Sequence, residues 1–216
     1  LKLAVFDCDG TLVDGQASIC EAMEAAFAAQ GMTAPDRATI RRAVGLSLPQ
    51  AMRVLLPLGS EDLQQALVEA YKTAFRTARS DGRISQPLFD GIAQTLHALA
   101  AQGWTLGIAT GMSDRGLAHC LASNDIAALF VTLQTADRHP SKPHPAMLQA
   151  ALFEAGAQAD EAVMIGDTAY DMQMARDAHV RGIGVDWGYH QPRELMAAGA
   201  EMVVGSPAEL AALLLA

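Results

Sequence analysis

Strand-length apolar runs and helix-spaced apolar positions share this chain unevenly. The opening run Leu3-Ala4-Val5-Phe6 reads as a buried strand over Lys2–Phe6. From residue 15 to 83 every signal is helical. Ser18-Ile19-Cys20-Glu21 has the spacing of a capping box, and Gly31 stands where a first helix would stop. Pro35 sits where a second helix could begin and Gly45 where it would end. Beyond Ser60, residues Leu63, Leu67, Tyr71, Phe75 and Ala78 recur every three or four positions. They predict an amphipathic helix running towards Gly82.

The texture changes at residue 84. Gly91 to Gln102 predicts a helix with Ile92, Leu96 and Leu99 on one face. Strand-like runs follow at 105–109, 129–133, 162–165, 181–185 and 202–204, with helical segments such as 145–155 and 170–178 between them. Strands alternating with helices of this length imply a mainly parallel sheet covered on both faces. The predicted fold class is therefore α/β. A Rossmann-like core formed by residues 1–14 and 84–216 is interrupted after its first strand by an all-α segment, residues 15–83. No internal repeat or low-complexity stretch appears.

Composition narrows the function. A hydrophobic content of 51% with 18% charged residues describes an ordered globular chain. The net charge of −9 argues against a nucleic-acid partner, because phosphate backbones demand Lys and Arg. No apolar run is long enough for a membrane span, so no membrane partner is expected. Cys8, Cys20 and Cys120 are widely spaced and form no CxxC pair, which suits a reducing cytoplasm and gives no zinc signature. The chain opens at Leu1, so a few native residues are expected to precede it. No motif addresses oligomeric state.

The chemistry gathers where strands end. Asp7-Cys8-Asp9-Gly10-Thr11 follows directly on the first strand, with two carboxylates one residue apart. Like charges that close need a proton or a cation between them. In open α/β sheets, ligands bind at the carboxyl ends of strands. Three further ends are polar: Thr110-Gly111-Met112-Ser113, the loop Ser141-Lys142-Pro143-His144-Pro145, and Gly166-Asp167-Thr168-Ala169-Tyr170-Asp171. Each has a bland reading. Thr110 or Ser113 could be helix caps, Lys142 solvated, and one of the two late aspartates a helix-dipole partner. Together, several carboxylates, a Lys and a hydroxyl at one sheet edge match what phosphoryl transfer with a hard cation requires.

DxDGT, a strand ending in Thr-Gly, a Lys-Pro loop and GDTxxD, in this order, resemble the haloacid dehalogenase-like hydrolase superfamily. Gly184-Val185-Asp186-Trp187-Gly188-Tyr189 is similar to a run of its phosphoglycolate phosphatase-like branch. The resemblance implies that residues 15–83 are a small helical cap. It implies Asp7 as nucleophile and Asp9 as general acid, then base. It further implies Mg2+ held by Asp7, the Asp9 backbone carbonyl and Asp167, and phosphate bound by Thr110, Gly111 and Lys142. Asp171 is placed behind these, orienting Lys142 or a metal-bound water. Dehalogenase relatives lack an acid at position 9, since halide leaves without a proton; an acid there fits an alkoxide leaving group.

The implied partner is a small phosphorylated metabolite, with 2-phosphoglycolate as first candidate. In the cap, Arg42 and Gly45 are candidate substrate contacts, Arg42 to a substrate carboxylate. The alternative keeps Arg41 and Arg42 solvated or near a helix C-terminus. Two other functions fit some of the motifs. One is a phosphomutase of hexose phosphates, weakly opposed by Thr11. The other is a phospho-accepting, receiver-like signalling module, which would need no helical segment after its first strand.

Overall fold

The computed structural model describes residues 2–216. Its sheet has six strands: β1 (Lys2–Phe6), β2 (Trp104–Thr110), β3 (Phe130–Thr135), β4 (Ala162–Gly166), β5 (Arg181–Val185) and β6 (Met202–Val204). They lie in the order β3-β2-β1-β4-β5-β6, parallel at every pairing. Parallel neighbours need crossover connections. These are built from α5 (Ile92–Ala101), α6 (Asp114–Ser123), α7 (Ala146–Ala155), α8 (Ala169–Asp177) and α9 (Pro192–Ala198), and α10 (Pro207–Leu215) closes the chain.

Both faces of the sheet are covered. Ala4, Phe6 and Ile108 pack with Leu96 and Leu99 of α5, Leu117 and Leu121 of α6 and Leu210 and Leu214 of α10. Leu3, Val5 and Met164 pack the opposite way, against Met147 and Leu148 of α7 and Met174 and Ala175 of α8. Alternation along β1 decides this partition, residue by residue. From β1 the chain first builds outward through β2 and β3, then returns to lay β4 on the other side of β1. The order reverses between β1 and β4, so the crevice beyond their carboxyl ends is the switch point where α/β sheets bind ligands.

Between β1 and α5 the chain forms α1 (Gln16–Ala29), α2 (Arg37–Arg42), α3 (Leu48–Leu55) and α4 (Glu61–Ser80). These four helices share their own apolar cluster, built on Phe27, Ile40, Met52 and Leu67. Ser60 caps α4, accepting from the Leu63 N–H at 3.2 Å, and Asp36 caps α2 through Thr39. The expected capping role of Ser18 is not realised. Helix α1 starts earlier, at Gln16, and Ser18 is buried, accepting from the Ser85 N–H at 2.9 Å. A tertiary partner has displaced the local cap. The early start also directs the Gly15 N–H at Asp9, 3.1 Å away.

Candidate active site

Asp7 leaves β1 at the switch point and is 1% exposed. Its Oδ1 accepts from the Lys142 ammonium at 2.8 Å. The same ammonium donates to Asp171 Oδ1 at 2.7 Å, and Lys142 is itself buried. Asp171 is clamped in turn. It is the third residue of α8, and its Oδ2 accepts from both the Thr168 N–H at 3.0 Å and the Thr168 hydroxyl at 2.8 Å. This capping box fixes the carboxylate that fixes the lysine. Asp167 lies just outside α8, not on its first turn. Its two oxygens accept from the Thr11 hydroxyl at 3.0 Å and the Tyr189 N–H at 2.8 Å. Gly10 permits this crowding: its φ is +94°, and a side-chain carbon there would stand 2.3 Å from Asp167.

Carboxylate oxygens of Asp7, Asp167 and Asp171 all lie within 4.8 Å of one another. Asp171 already serves Lys142 and Thr168. Asp7 Oδ2, by contrast, is buried with no hydrogen-bond partner. Such an orphan is costly unless something charged meets it. Oxygen donors of this kind suit a hard divalent cation, so the residues present fit Mg2+. The Asp9 carboxylate stands outside this group, and its Oδ1 accepts from Gly15 and from the Tyr189 hydroxyl at 3.0 Å.

The electrostatics separate the acids. Burial raises Asp7, and Lys142 restrains the rise to about 6. Burial, then the charge of Asp7, carries Asp9 up to about 7 despite the Tyr189 hydrogen bond. Asp167 is raised well above the carboxylate range by burial and by the charges of Asp7 and Asp171. For Lys142, burial works against the charge, but Asp171 and Asp7 outweigh it and hold the ammonium above its ordinary range. Near neutrality, therefore, the site has one carboxylate anchored on an ammonium and a second able to carry a proton.

Asp7, Asp9, Thr110 and Gly111 line a cavity of about 620 Å3 between the sheet edge and the four-helix segment, as does Gly45. Thr110 is buried and accepts from the Met112 N–H at 3.2 Å, which leaves its own proton to donate. Ser113 is the cap of α6. The expectation for Arg42 is corrected. Its guanidinium points out of the cavity to Glu194 on α9, with one bond at 3.2 Å and a second, shorter one. Its acidic partner lies 152 residues away in the sequence.

Three contributors were not assigned from sequence. Tyr189 holds both Asp9 and Asp167, Thr11 holds Asp167, and Trp187 donates to the Thr11 carbonyl at 3.0 Å. The run Gly184–Tyr189 was the available signal, since it resumes polar residues straight after a strand end.

The chain is similar to known proteins over nearly its whole length. The family model described as haloacid dehalogenase-like hydrolase matches residues 4–185. The chain belongs to that family. It is 35% identical over 214 residues to "Probable phosphatase IndB" of Dickeya dadantii, covering 96% of this chain and 91% of the relative. It is 29% identical to a phosphoglycolate phosphatase of Vibrio parahaemolyticus over 97% of this chain and 94% of the relative. Among solved structures, a hydrolase from Pseudomonas syringae superposes with a TM-score of 0.86 at 25% identity, covering 99% of this chain and 98% of the other. As a haloacid dehalogenase-like hydrolase the chain is an enzyme, and its relatives over nearly full length carry phosphatase names. The receiver-like reading falls with this result. No helix among the described residues is long and apolar enough to cross a membrane.

Proposed function

We propose that this phosphatase hydrolyses a small-molecule phosphate monoester through an aspartyl phosphate on Asp7. The supporting observation is the state of the two motif carboxylates. Asp7 is anchored on Lys142 with one oxygen buried and unpartnered, while Asp9 beside it is pushed up to about 7. Asp7 attacks phosphorus as the ester P–O bond breaks, and Asp9 gives its proton to the departing alkoxide. Asp9 then takes a proton from water, which attacks phosphorus. The bond to Asp7 breaks, releasing inorganic phosphate and the free carboxylate. Thr110, the Gly111 N–H and Lys142 hold the phosphoryl oxygens, and Asp171 positions Lys142. Asp7, Asp167 and the Asp9 carbonyl would hold Mg2+, which supplies charge neutralisation between the anionic nucleophile and the anionic phosphate.

Residues 15–83 are read as a cap over a core of 1–14 and 84–216, a division supported by the separate apolar cluster of α1–α4. The free, buried cysteines 8, 20 and 120 support a reducing cytoplasm. Because several relatives are named phosphoglycolate phosphatase, 2-phosphoglycolate is the first substrate to try. The test is sustained phosphate release from p-nitrophenyl phosphate with Mg2+. Asp7→Asn lowers it by at least ~10^3-fold, as loss of a nucleophile does. Turnover that survives this substitution overturns the assignment.

A further inference from the structure

Three arginines meet in the same cavity as Asp7 without any acidic partner. Arg76 and Arg79 come from the last turns of α4, and Arg115 comes from the first turn of α6. Among the described residues no ion pair includes any of them. The neighbouring carboxylates pair with other groups, although exposed Asp137 also lines the cavity. Asp114 accepts from Thr135 and Arg138, and Asp137 accepts from the Asp114 N–H at 2.8 Å.

Arg79 is the centre of the group. Its guanidinium stands 5.6 Å from the centroid of the Phe75 ring. It also reaches across to α6, where an atom added to Gly116 would stand 4.0 Å from Nη2. Its Nε is buried and has no hydrogen-bond partner. Burial, then the charges of Arg115 and Arg76, pushes it below the usual guanidinium range. The amino end of α6 adds partial positive charge at the same place. In a chain of net charge −9, a pocket wall of unpaired cations with an orphaned donor has the form of an anion site.

The rest of the cavity indicates what carries that anion. Ile19, Met23, Leu46, Tyr71 and Phe75 line it, an apolar wall shared with the phosphate-binding end. A two-carbon phosphate has about nine non-hydrogen atoms; even at the ~30 Å3 that each liquid water occupies, it fills less than half of the space. The volume of about 620 Å3 lies within the range of pockets that hold larger ligands.

We propose that Arg79, with Arg76 and Arg115 beside it, is a second anion subsite. The preferred substrate is then a phosphate monoester whose apolar, ring-sized body ends in another anionic group. This rests on the phosphatase reading, and it goes further by naming the substrate class. 2-Phosphoglycolate has the charge pattern but lacks the body.

The experiment compares kcat/KM for 4-carboxyphenyl phosphate, 1,4-phenylene bisphosphate and the uncharged-tail 4-methylphenyl phosphate. The wild type prefers at least one of the doubly anionic esters by about tenfold or more, with the difference in KM, and the better of the two names the anion. In Arg79→Gln and in Arg115→Gln that preference collapses to within about twofold, and Arg79→Lys restores part of it because the charge returns. A preference kept in both Gln variants, or no preference in the wild type, overturns the subsite. Turnover of p-nitrophenyl phosphate reports separately on the phosphatase reading. Should turnover be absent, calorimetric binding of 4-carboxyphenyl phosphate to Asp7→Asn and to Asp7→Asn/Arg79→Gln still decides. Equal affinities reject the subsite, and about tenfold weaker binding in the double variant supports it.

Discussion

At the level of single residues, Asp9 carries the sharpest test. A donor must hold its proton, so a reaction that needs Asp9 as acid slows as pH rises through its pKa of about 7. For an alkyl phosphate, kcat/KM is expected to fall above neutrality; for p-nitrophenyl phosphate, whose leaving group needs no proton, that limb is absent. Tyr189 donates to Asp9 and so favours its ionised form. Tyr189→Phe removes that preference and moves the alkaline limb upward by up to about one pH unit. Asp9→Asn separates the two half-reactions. It releases one equivalent of p-nitrophenol and then stalls, because nothing activates the water that should cleave the acyl phosphate. Rapid-mixing absorbance reads the burst, and steady multiple turnover by Asp9→Asn would reject Asp9 as the base.

Among the elements, the connection between α2 and the core matters most. The Arg42 carbonyl accepts from the Tyr170 hydroxyl and from the His190 ring, each at 3.1 Å, while the Ser47 N–H donates to the Ser141 hydroxyl at 2.9 Å. With the Arg42–Glu194 pair these contacts hold the α2–α3 turn against the sheet edge. Arg42→Ala keeps the carbonyl and loses only a half-exposed ion pair, worth at most about 1 kcal/mol. It should alter KM for a carboxylated ester and for a neutral one by the same factor; a selective loss on the carboxylated ester would return Arg42 to the substrate. The direction of Arg42 was not legible in the sequence, since Glu194 is remote and nothing local marks it. Asp7 and Asp167 were legible because each follows a strand signal directly, and Lys142 because the Pro-flanked loop after the third strand-like run carries it. β1, β5 and β6 were read to the residue, as short strand-like runs with clear ends. β3 begins one residue later than expected and extends to Thr135, because Ala127–Leu129 forms a 3-10 turn that period-two reasoning does not register. Ser18 misled for a related reason: capping-box spacing is local, and the burial that overrode it is not.

For the whole molecule, the buried acids tie stability to pH and to metal. Asp7, Asp9 and Asp167 all have carboxyls raised above their unfolded values. The folded chain therefore binds protons more tightly than the unfolded chain, and metal-free stability falls as pH rises from about 4 through about 7. Exposed pairs act in the opposite sense: Arg42 holds Glu194 down at about 2, so its contribution builds up between about pH 2 and the ordinary carboxylate range and is essentially complete by about pH 5.5. A divalent cation held by the ionised Asp7 and Asp167, as proposed, would offset part of the loss. At a hundred times its dissociation constant it adds about 2.7 kcal/mol, which for a chain of this size raises Tm by roughly 5–10 °C. Thermal unfolding in EDTA should accordingly give a lower Tm at pH 8 than at pH 5.5, and Mg2+ should raise it more at pH 8. Asp167→Asn removes both a titrating group and a proposed cation ligand, so its metal-free Tm is expected to be flatter with pH and its response to Mg2+ smaller. A metal-free Tm that climbs steadily from pH 5.5 to 8 would mean that these carboxylates ionise freely in the folded chain. The site would then be no trap for a cation, because the cost of holding the Asp7 and Asp167 charges together is what the metal would relieve.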